Sequence, residues 1–196
     1  MAIEISYPQR KNLRLQEYDY SQPGAYFVTV VTLERKCLFG EIRDGKIILN
    51  PAGRIIKSAW LDLPNHYRFV RLDQFCVMPN HFHGILWIVD DSGRGGSVLG
   101  NGPRPDPEEA GKALESRNPE TRPPVGQKAN GLSEVIRAFK SFSARRMNAL
   151  SRTSGTPIWQ RNFYEHVIRD ENDLQNTRRY ILENPIVWEM DEERPR

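Results

Sequence analysis

Two histidines separated by one residue, His81 and His83, are side chains whose type and spacing could support metal chemistry. They open an apolar segment, residues 84–88, that is typical of a β-strand. Side chains two positions apart on a strand share a face and lie about 6.6–6.8 Å apart along the backbone. Two imidazoles so placed can converge on one metal ion while Phe82 turns into the core. The alternative is two half-exposed histidines at a strand end that bind nothing.

A second pair, Tyr180 and Asn184, is spaced for a helix. Residues four apart share a helix face, with their Cβ atoms about 5–6 Å apart. Asn184 can supply a side-chain oxygen as a third metal ligand. Tyr180 can direct its hydroxyl at a group bound to the metal. The alternative is structural, since Asn before Pro is a common helix ending and Tyr on an amphipathic helix is usually core or surface.

Two further residues are weaker candidates. His166 has Tyr164 and Ile168 as its same-face neighbours in a predicted strand, and we interpret it as a packed or hydrogen-bonded histidine rather than a ligand. Tyr164 is the rival nucleophile, but it has no potential ligand four positions away on a helix.

Hydrophobic patterning predicts the elements that must position these residues. The order is strand, hairpin, helix, two strands, helix, strand, helix. With the hairpin set aside, this order predicts an α+β fold with a ferredoxin-like split β-α-β-β-α-β core, an antiparallel sheet and an added C-terminal helix that carries Tyr180. The predicted strands are 25–33, 39–42, 46–49, 73–78, 83–89 and 159–168, and the predicted helices are 51–61 (with Asn50 as N-cap), 132–150 and 172–183.

One segment, residues 90–130, cannot form a core, because it holds 7 Gly and 6 Pro and no aromatic residue. We interpret it as a flexible loop inserted into a single catalytic domain that spans residues 1–188. A short acidic tail, residues 189–196, follows this domain.

Composition excludes several classes of protein. No apolar stretch reaches the roughly 18 residues of a membrane span, and no secretory signal opens the chain. The 2 cysteines lack CxxC spacing, which argues against a disulfide scaffold and a cysteine zinc site. We therefore expect a cytoplasmic protein with no membrane partner.

Positive charge is concentrated between the two motifs. The chain carries a net charge of +3, yet residues 131–161 alone hold 6 basic residues against 1 acidic residue. A solvated helix face is one explanation, and a track for nucleic-acid phosphates is the other. The candidate DNA-binding residues are Arg137, Lys140, Arg145, Arg146 and Arg161, together with Arg10, Lys11 and Arg14 of an N-terminal arm.

Four stretches, in this order along the chain, resemble motifs of the single-tyrosine HUH transposases, and most closely those of the REP-associated tyrosine transposase branch. Two of them carry the candidate chemistry, VMPNHFHG at residues 77–84 and RYILENP at residues 179–185. The other two are residues 15–29 and residues 158–170. The resemblance spans residues 10–188, excluding the loop.

The resemblance implies that His81 and His83 hold a divalent ion, Mg²⁺ or Mn²⁺, with Asn184 as the third ligand. It also implies that Tyr180 attacks a DNA phosphate and becomes joined to its 5′ side, leaving a free 3′-OH. A phenol, with a pKa near 10, is a poor nucleophile at neutral pH, so the metal must polarise the phosphate. Because the covalent link conserves the phosphodiester bond, a second 3′-OH can reverse the reaction and join new ends.

The function expected from the resemblance is a metal-dependent single-stranded DNA endonuclease and strand transferase that acts on palindromic hairpin repeats. Its partner would be single-stranded or hairpin DNA, and it would be nucleoid-associated. We expect a monomer, with a dimer as the alternative. Two other functions stay open: a domesticated hairpin-binding protein that does not cut, and an unrelated metal hydrolase.

Overall fold

The computed structural model describes residues 19–90 and 131–190, apart from the side chain of Glu189. The predicted loop, except for Asp90, lies outside the described residues, as do Arg10, Lys11 and Arg14 of the arm and residues 191–196 of the tail. Within the described ranges, no helix combines the length and apolarity needed to cross a membrane.

In the described part of the chain, six strands form two antiparallel sheets. They are β1 (Gly24–Val31), β2 (Gly40–Arg43), β3 (Lys46–Leu49), β4 (Val70–Val77), β5 (His81–Ile88) and β6 (Tyr164–Ile168). The central sheet has the order β4-β5-β1-β6, while β2 and β3 form a separate hairpin. Because β1 and β4 both pair antiparallel with β5, they run in the same direction on either side of it.

The helices are α1 (Pro51–Leu61), α2 (Leu63–His66), α3 (Gly131–Leu150) and α4 (Glu171–Met190). The N-cap predicted for α1 is confirmed, since the Asn50 side chain accepts a hydrogen bond from the Gly53 N–H at 2.9 Å. The predicted α+β class, the antiparallel sheet and the C-terminal helix that carries Tyr180 are also confirmed.

The central sheet has two different faces. One face packs against α1 and α3 around Trp60, Phe82 and Phe139, whose ring centroids lie from 4.6 to 5.3 Å apart. The other face carries Phe27 and Ile85 and packs against a smaller apolar surface of α4. The larger core therefore lies on the α1 and α3 side, and α4 covers the second face.

The last strand is shorter than predicted, because β6 begins at Tyr164 and not at Trp159. Trp159 makes a single bridge to Thr32. Its ring turns into the core, where Nε1 donates a hydrogen bond to the Ser143 hydroxyl at 3.0 Å. The carbonyls of the next two residues accept hydrogen bonds from the Lys140 ammonium instead of from a neighbouring strand.

Helix α4 continues through Pro185 to Met190, so the predicted end at residue 183 is wrong. Proline lacks the N–H that would bond to the carbonyl four residues earlier, and it usually ends a helix. Here Pro185 is buried. The following turn packs against the β2–β3 hairpin, where a Cβ added to Gly45 would lie 3.0 Å from Ile186 Cγ1. This packing offsets the missing hydrogen bond and keeps the chain helical.

A largely buried ion pair docks α4 onto the sheet. Arg178 donates to both carboxylate oxygens of Asp73, at 2.9 and 2.6 Å, and the two side chains are only 19% and 14% exposed. Asp73 lies in the β4 irregularity between Leu72 and Phe75 and also accepts from Trp87 Nε1 at 3.1 Å. Burial raises the pKa of Asp73, but the hydrogen bonds from Arg178 and Trp87 outweigh it, so the pKa lies below its usual range.

We expect Asp73→Asn to destabilise the fold by about 2–3 kcal/mol at neutral pH, somewhat less than the loss of one partner from a fully buried ion pair. The reason is that Arg178 would keep its charge while losing its carboxylate. The measurement is the free energy of unfolding in urea.

The pH dependence tests the same ion pair. The pKa of Asp73 is lower in the folded protein than in the unfolded chain. The Asp73 carboxylate therefore contributes fully to the free energy of unfolding above the unfolded pKa of about 4, and this contribution is lost as the pH falls through the folded pKa. The difference between wild type and Asp73→Asn should therefore shrink in acid. Asp44→Asn, in the hairpin turn, is the matched control and should change stability by less than about 0.5 kcal/mol. An Asp73→Asn effect no larger than this control, or one independent of pH, contradicts the interpretation.

Candidate active site

His81 and His83 lie side by side at the beginning of β5, on the sheet face that α4 covers. Their Nε2 atoms are 2.9 Å apart and their ring centroids are 4.5 Å apart. Phe82, between them, is fully buried in the opposite core. The strand alternation predicted from the His-x-His spacing is therefore confirmed.

Hydrogen bonds at Nδ1 turn the two rings toward each other. His81 Nδ1 donates to Asn80 Oδ1 at 2.6 Å, and the Asn80 amide is held in turn because its Nδ2 donates to the Arg35 carbonyl at 3.1 Å. His83 Nδ1 pairs with the hydroxyl of Thr29, directly opposite on β1, at 2.8 Å. With Nδ1 engaged in both rings, Nε2 is the nitrogen that each histidine presents to the site.

The loop that supplies the Arg35 carbonyl is strained. Glu34 and Arg35 both have φ of 55°, in the left-handed region that non-glycine residues rarely adopt. The Thr32 hydroxyl contacts the carbonyl oxygens of Lys36 at 2.8 Å and Asn80 at 2.9 Å, within hydrogen-bonding distance of both. These contacts join the loop to the turn that precedes β5, and so hold the amide that orients His81.

Both imidazoles are neutral at physiological pH. Burial lowers the pKa of His81 to about 4; a hydrogen bond with the Asn184 side chain opposes this shift, and the positive charge of Arg35 adds to it. Burial, and then the neighbouring His81, hold the pKa of His83 well below its usual range. Neutral imidazole is the form that binds metal ions.

Helix α4 places Tyr180 and Asn184 beside the histidine pair. The Tyr180 ring centroid lies 5.3 Å from that of His83, and the side chain is 50% exposed. Asn184, one turn further along α4, hydrogen-bonds to His81. The four residues selected by the two spacings therefore meet at one place. Among the described residues, no group of three or more His, Cys, Asp or Glu side chains could hold a metal, so a third protein ligand here would need to be of another type.

His166 is a hydrogen-bonded histidine, as expected. Its Nε2 lies 2.9 and 3.0 Å from the two carboxylate oxygens of Asp173, in the first turn of α4. Tyr164 shares this sheet face, is 39% exposed and lies 6.2 Å from the Phe27 ring. Sequence reasoning missed Asp173; its one sequence signal is an acidic residue in the first turn of a predicted helix.

Of the five described basic residues that were predicted to bind DNA, four are not gathered at this site. Four of them lie on α3, which packs against the opposite face of the sheet. Two form exposed ion pairs of 3.9 and 3.7 Å with acidic side chains, and a third lies 4.8 Å above a phenylalanine ring. These residues are Arg137, Lys140, Arg145 and Arg146.

Lys140 has a structural use that the charge pattern did not predict. Its ammonium donates to the carbonyls of Gln160 and Arg161 at 2.7 and 2.8 Å, and burial lowers its pKa. This contact ties α3 to the segment before β6. A role for Lys140 in binding DNA stays a prediction.

Two arginines lie at the histidine end of the sheet. Arg161 follows Gln160, whose N–H donates to the carbonyl of Val31 at 2.9 Å, and Val31 is the β1 partner of His81. Arg35 is close enough for its charge to lower the pKa of His81. No sequence pattern indicated Arg35, because it is brought to His81 only by the folding of the loop after β1.

No protein-family model matches the chain. One solved structure, a REP-associated tyrosine transposase bound to a REP hairpin, is 18% identical, with 84% of this chain and 67% of that chain covered and a TM-score of 0.48. A second, a "putative transposase" from Deinococcus radiodurans R1, is 15% identical, with 90% and 98% covered and a TM-score of 0.42.

Two curated proteins of Haemophilus influenzae are similar in sequence. An uncharacterised protein is 35% identical over 185 residues, which cover 93% of this chain and 92% of that protein. The second, described as a "putative REP-associated tyrosine transposase", is 27% identical over 168 residues, with 86% and 73% covered. The resemblance inferred from the motifs is thus confirmed. The chain belongs to the same family as the 35% identical Haemophilus protein, and it is also similar to the protein described as a "putative REP-associated tyrosine transposase".

Proposed function

We propose that this protein is a metal-dependent DNA endonuclease and strand transferase that cuts single-stranded or hairpin DNA through a tyrosine-linked intermediate. One observation carries the proposal: an exposed tyrosine on α4 lies beside two buried, neutral imidazoles whose Nε2 atoms face each other. Sequence similarity supports the same interpretation, since one similar protein is described as a "putative REP-associated tyrosine transposase". We expect the protein to act as a monomer.

The donor set fits a divalent cation. The two Nε2 atoms lie only 2.9 Å apart, so both could bind the same ion. His81, His83 and the Asn184 amide oxygen would be its protein ligands. Two imidazoles suit Mn²⁺ at least as well as Mg²⁺. When bound, the ion would supply Lewis-acid polarisation of the scissile phosphate.

The chemistry assigned to Tyr180 is a transesterification. Its hydroxyl oxygen attacks the phosphorus and loses its proton, the bond from phosphorus to the 3′ oxygen breaks, and that oxygen takes up a proton as a free 3′-OH. The DNA is left joined to Tyr180 through its 5′-phosphate. Attack by another 3′-OH on this ester releases Tyr180 and forms a new phosphodiester bond, so the bond is conserved and no ATP is needed.

The DNA backbone needs cationic contacts beside the site, and two arginines at the histidine end of the sheet are suited to supply them. Arg35 and Arg161 are both exposed there. The basic residues of α3 lie on the other side of the sheet, where they would contact only a longer or folded substrate such as a hairpin stem. The arm residues Arg10, Lys11 and Arg14 stay predicted DNA contacts.

The covalent intermediate is tested with a hairpin oligonucleotide taken from repeats that flank the gene, incubated with the protein and Mn²⁺. We expect a protein–DNA adduct that survives denaturing electrophoresis, and no adduct with Tyr180→Phe, because the variant lacks the attacking oxygen. Addition of EDTA should also abolish the adduct.

The matched control is Tyr164→Phe, which removes the hydroxyl of the rival nucleophile and should leave the adduct yield close to that of wild type. An adduct that persists in Tyr180→Phe would overturn the assignment of the nucleophile. Tight hairpin binding with no adduct under either Mg²⁺ or Mn²⁺ would instead identify a binding protein that does not cut.

The metal site is tested by titrating the protein with Mn²⁺ and measuring the heat of binding. We expect His83→Ala to abolish saturable binding, because one of two imidazole ligands is lost. Thr29→Val should weaken binding by about 10- to 100-fold, since it removes the hydrogen bond that orients the His83 ring while keeping the side-chain volume.

Thr29→Ser, which restores the hydroxyl, should recover most of the Mn²⁺ affinity. His66→Ala is the matched control, because His66 lies on α2 and is paired with Asp62 at 3.1 Å. Equal Mn²⁺ affinity in wild type and His83→Ala would remove the metal site from the proposal.

A further inference from the structure

Arg35 acts on the histidine pair through its backbone as well as through its charge. Its carbonyl accepts a hydrogen bond from Asn80 Nδ2 at 3.1 Å, and Asn80 Oδ1 accepts one from His81 Nδ1 at 2.6 Å. A partner at the nitrogen that does not hold the metal fixes the orientation of an imidazole ligand. Two hydrogen bonds therefore connect the Arg35 peptide to a candidate metal ligand.

The Asn80 side chain leaves little slack in this connection. The residue is only 1% exposed, and both the oxygen and the nitrogen of its amide are engaged. Its own carbonyl accepts from the Thr32 N–H at 2.9 Å, at the start of the same loop. A rotation of the Arg35 peptide would therefore either break the contact with Asn80 or turn the His81 ring.

The backbone of Arg35 is held in an unfavourable conformation. Its φ is 55°, in the left-handed region, and Glu34 before it has the same φ. Non-glycine residues keep such a conformation only where the surrounding contacts impose it. A ligand that holds the Arg35 side chain would add one such contact and would help to keep the carbonyl pointing at Asn80.

The side chain of Arg35 is available for a phosphate. It is exposed and forms no ion pair with any residue that the structure describes. Its neighbours Glu34 and Lys36 pair with each other at 2.8 Å, so the adjacent carboxylate is already engaged. Since arginine binds phosphate through two parallel N–H···O hydrogen bonds, this guanidinium is well suited to contact a DNA backbone.

The charge of Arg35 also opposes positive charge at the histidines. Burial is the main cause of the low pKa of His81, the hydrogen bond with Asn184 opposes this shift, and the charge of Arg35 lowers the pKa further. A charge that disfavours a proton on His81 also disfavours a divalent cation there, because both repulsions are Coulombic. A phosphate bound to Arg35 would cancel this repulsion.

We propose that Arg35 couples DNA binding to metal binding: a phosphate held by its guanidinium neutralises a charge that repels the metal, and it steadies the carbonyl that orients Asn80 and His81. The metal site is then weak in the free protein and strengthens when DNA is bound. This inference rests on the proposed function, since it takes the two histidines as metal ligands and DNA as the ligand of Arg35. Arg35 is a positioning residue here, because it acts on the metal through Asn80 and His81.

The experiment measures Mn²⁺ binding by calorimetry with and without the hairpin oligonucleotide, in the Tyr180→Phe variant so that the DNA is not cut. We expect saturating DNA to tighten Mn²⁺ binding roughly tenfold or more, within the range of about 5- to 150-fold that is typical of coupled sites. Coupling between two ligands is reciprocal, so saturating Mn²⁺ should tighten DNA binding, measured by fluorescence anisotropy, by the same factor.

Adding Arg35→Gln separates the effect of Arg35 from direct contact between the ion and a phosphate, which is the same in both proteins. Without the charge of Arg35, Mn²⁺ should bind about threefold more tightly in the absence of DNA, and DNA should tighten that binding by a smaller factor. Arg35→Lys keeps a cation that can hold a phosphate, so most of the effect of DNA should remain.

Lys36→Gln, in the same background, is the matched control. It removes a charge from the next position of the loop, but Lys36 is paired with Glu34, so the Mn²⁺ affinity and its increase with DNA should both stay close to those of the background. An increase with DNA that is as large in Arg35→Gln as in the background would overturn the proposal. So would the absence of any increase in the background itself.

The two proposals fail in different ways. A covalent adduct formed by Tyr180, together with an effect of DNA on Mn²⁺ binding that does not depend on Arg35, would support the nuclease and overturn the coupling. An Arg35-dependent effect without any adduct would support the coupling and overturn the nuclease. No saturable Mn²⁺ binding, with or without DNA, would overturn both.

Discussion

The candidate site is assembled from two separate elements, and the ion pair between Arg178 and Asp73 fixes how they meet. Arg178 is two residues before Tyr180 on α4, while Asp73 sits in β4, next to the strand that carries the histidines. Each residue of a helix turns by about 100° and rises about 1.5 Å. A slip of α4 by one residue would therefore direct Tyr180 away from His83. A bidentate contact that also engages Trp87 leaves little freedom for such a slip.

The histidine pair depends on a different constraint, namely the hydrogen bonds at Nδ1 that orient the two imidazole rings. Asn80 and Thr29 engage the Nδ1 atoms, and Asn80 is itself held by the carbonyl of Arg35. That carbonyl belongs to a loop with two left-handed residues in succession, a conformation that costs about 1–3 kcal/mol per residue. The buried Thr32 hydroxyl, which lies within hydrogen-bonding distance of the Lys36 and Asn80 carbonyl oxygens, offsets part of this cost. Two hydrogen bonds, through the Asn80 side chain, connect the strained residue Arg35 to His81. Backbone strain of this kind is common near functional sites.

The two faces of the sheet differ in what they carry: one holds the main apolar core and the other holds the candidate site. The face toward α1 and α3 holds the large aromatic core, and the basic residues of α3 lie on this side. The face toward α4 holds a small apolar cluster, leaving room for the histidines, for Tyr180 and for an open cleft beside it. A well-packed first face allows the second to carry polar and exposed groups such as the histidines and Tyr180.

Features that depend on short-range geometry could be predicted from the amino-acid sequence. The two-residue period of a strand predicted that His81 and His83 share a face while Phe82 points into the core. The four-residue spacing predicted that Tyr180 and Asn184 share one face of a helix. Hydrophobic patterning predicted the order of the main strands and helices. Contacts between distant segments could not be predicted in this way, because they depend on how the elements pack: Asp73 with Arg178, Thr29 with His83, Asp173 with His166, and Arg35 near His81. Tertiary packing also decided that α4 passes through Pro185 and that α3 lies across the sheet from the site. Local spacing limits the face of a helix or strand on which a side chain lies. Packing between elements determines which residue that side chain contacts, and it can outweigh a local signal such as proline.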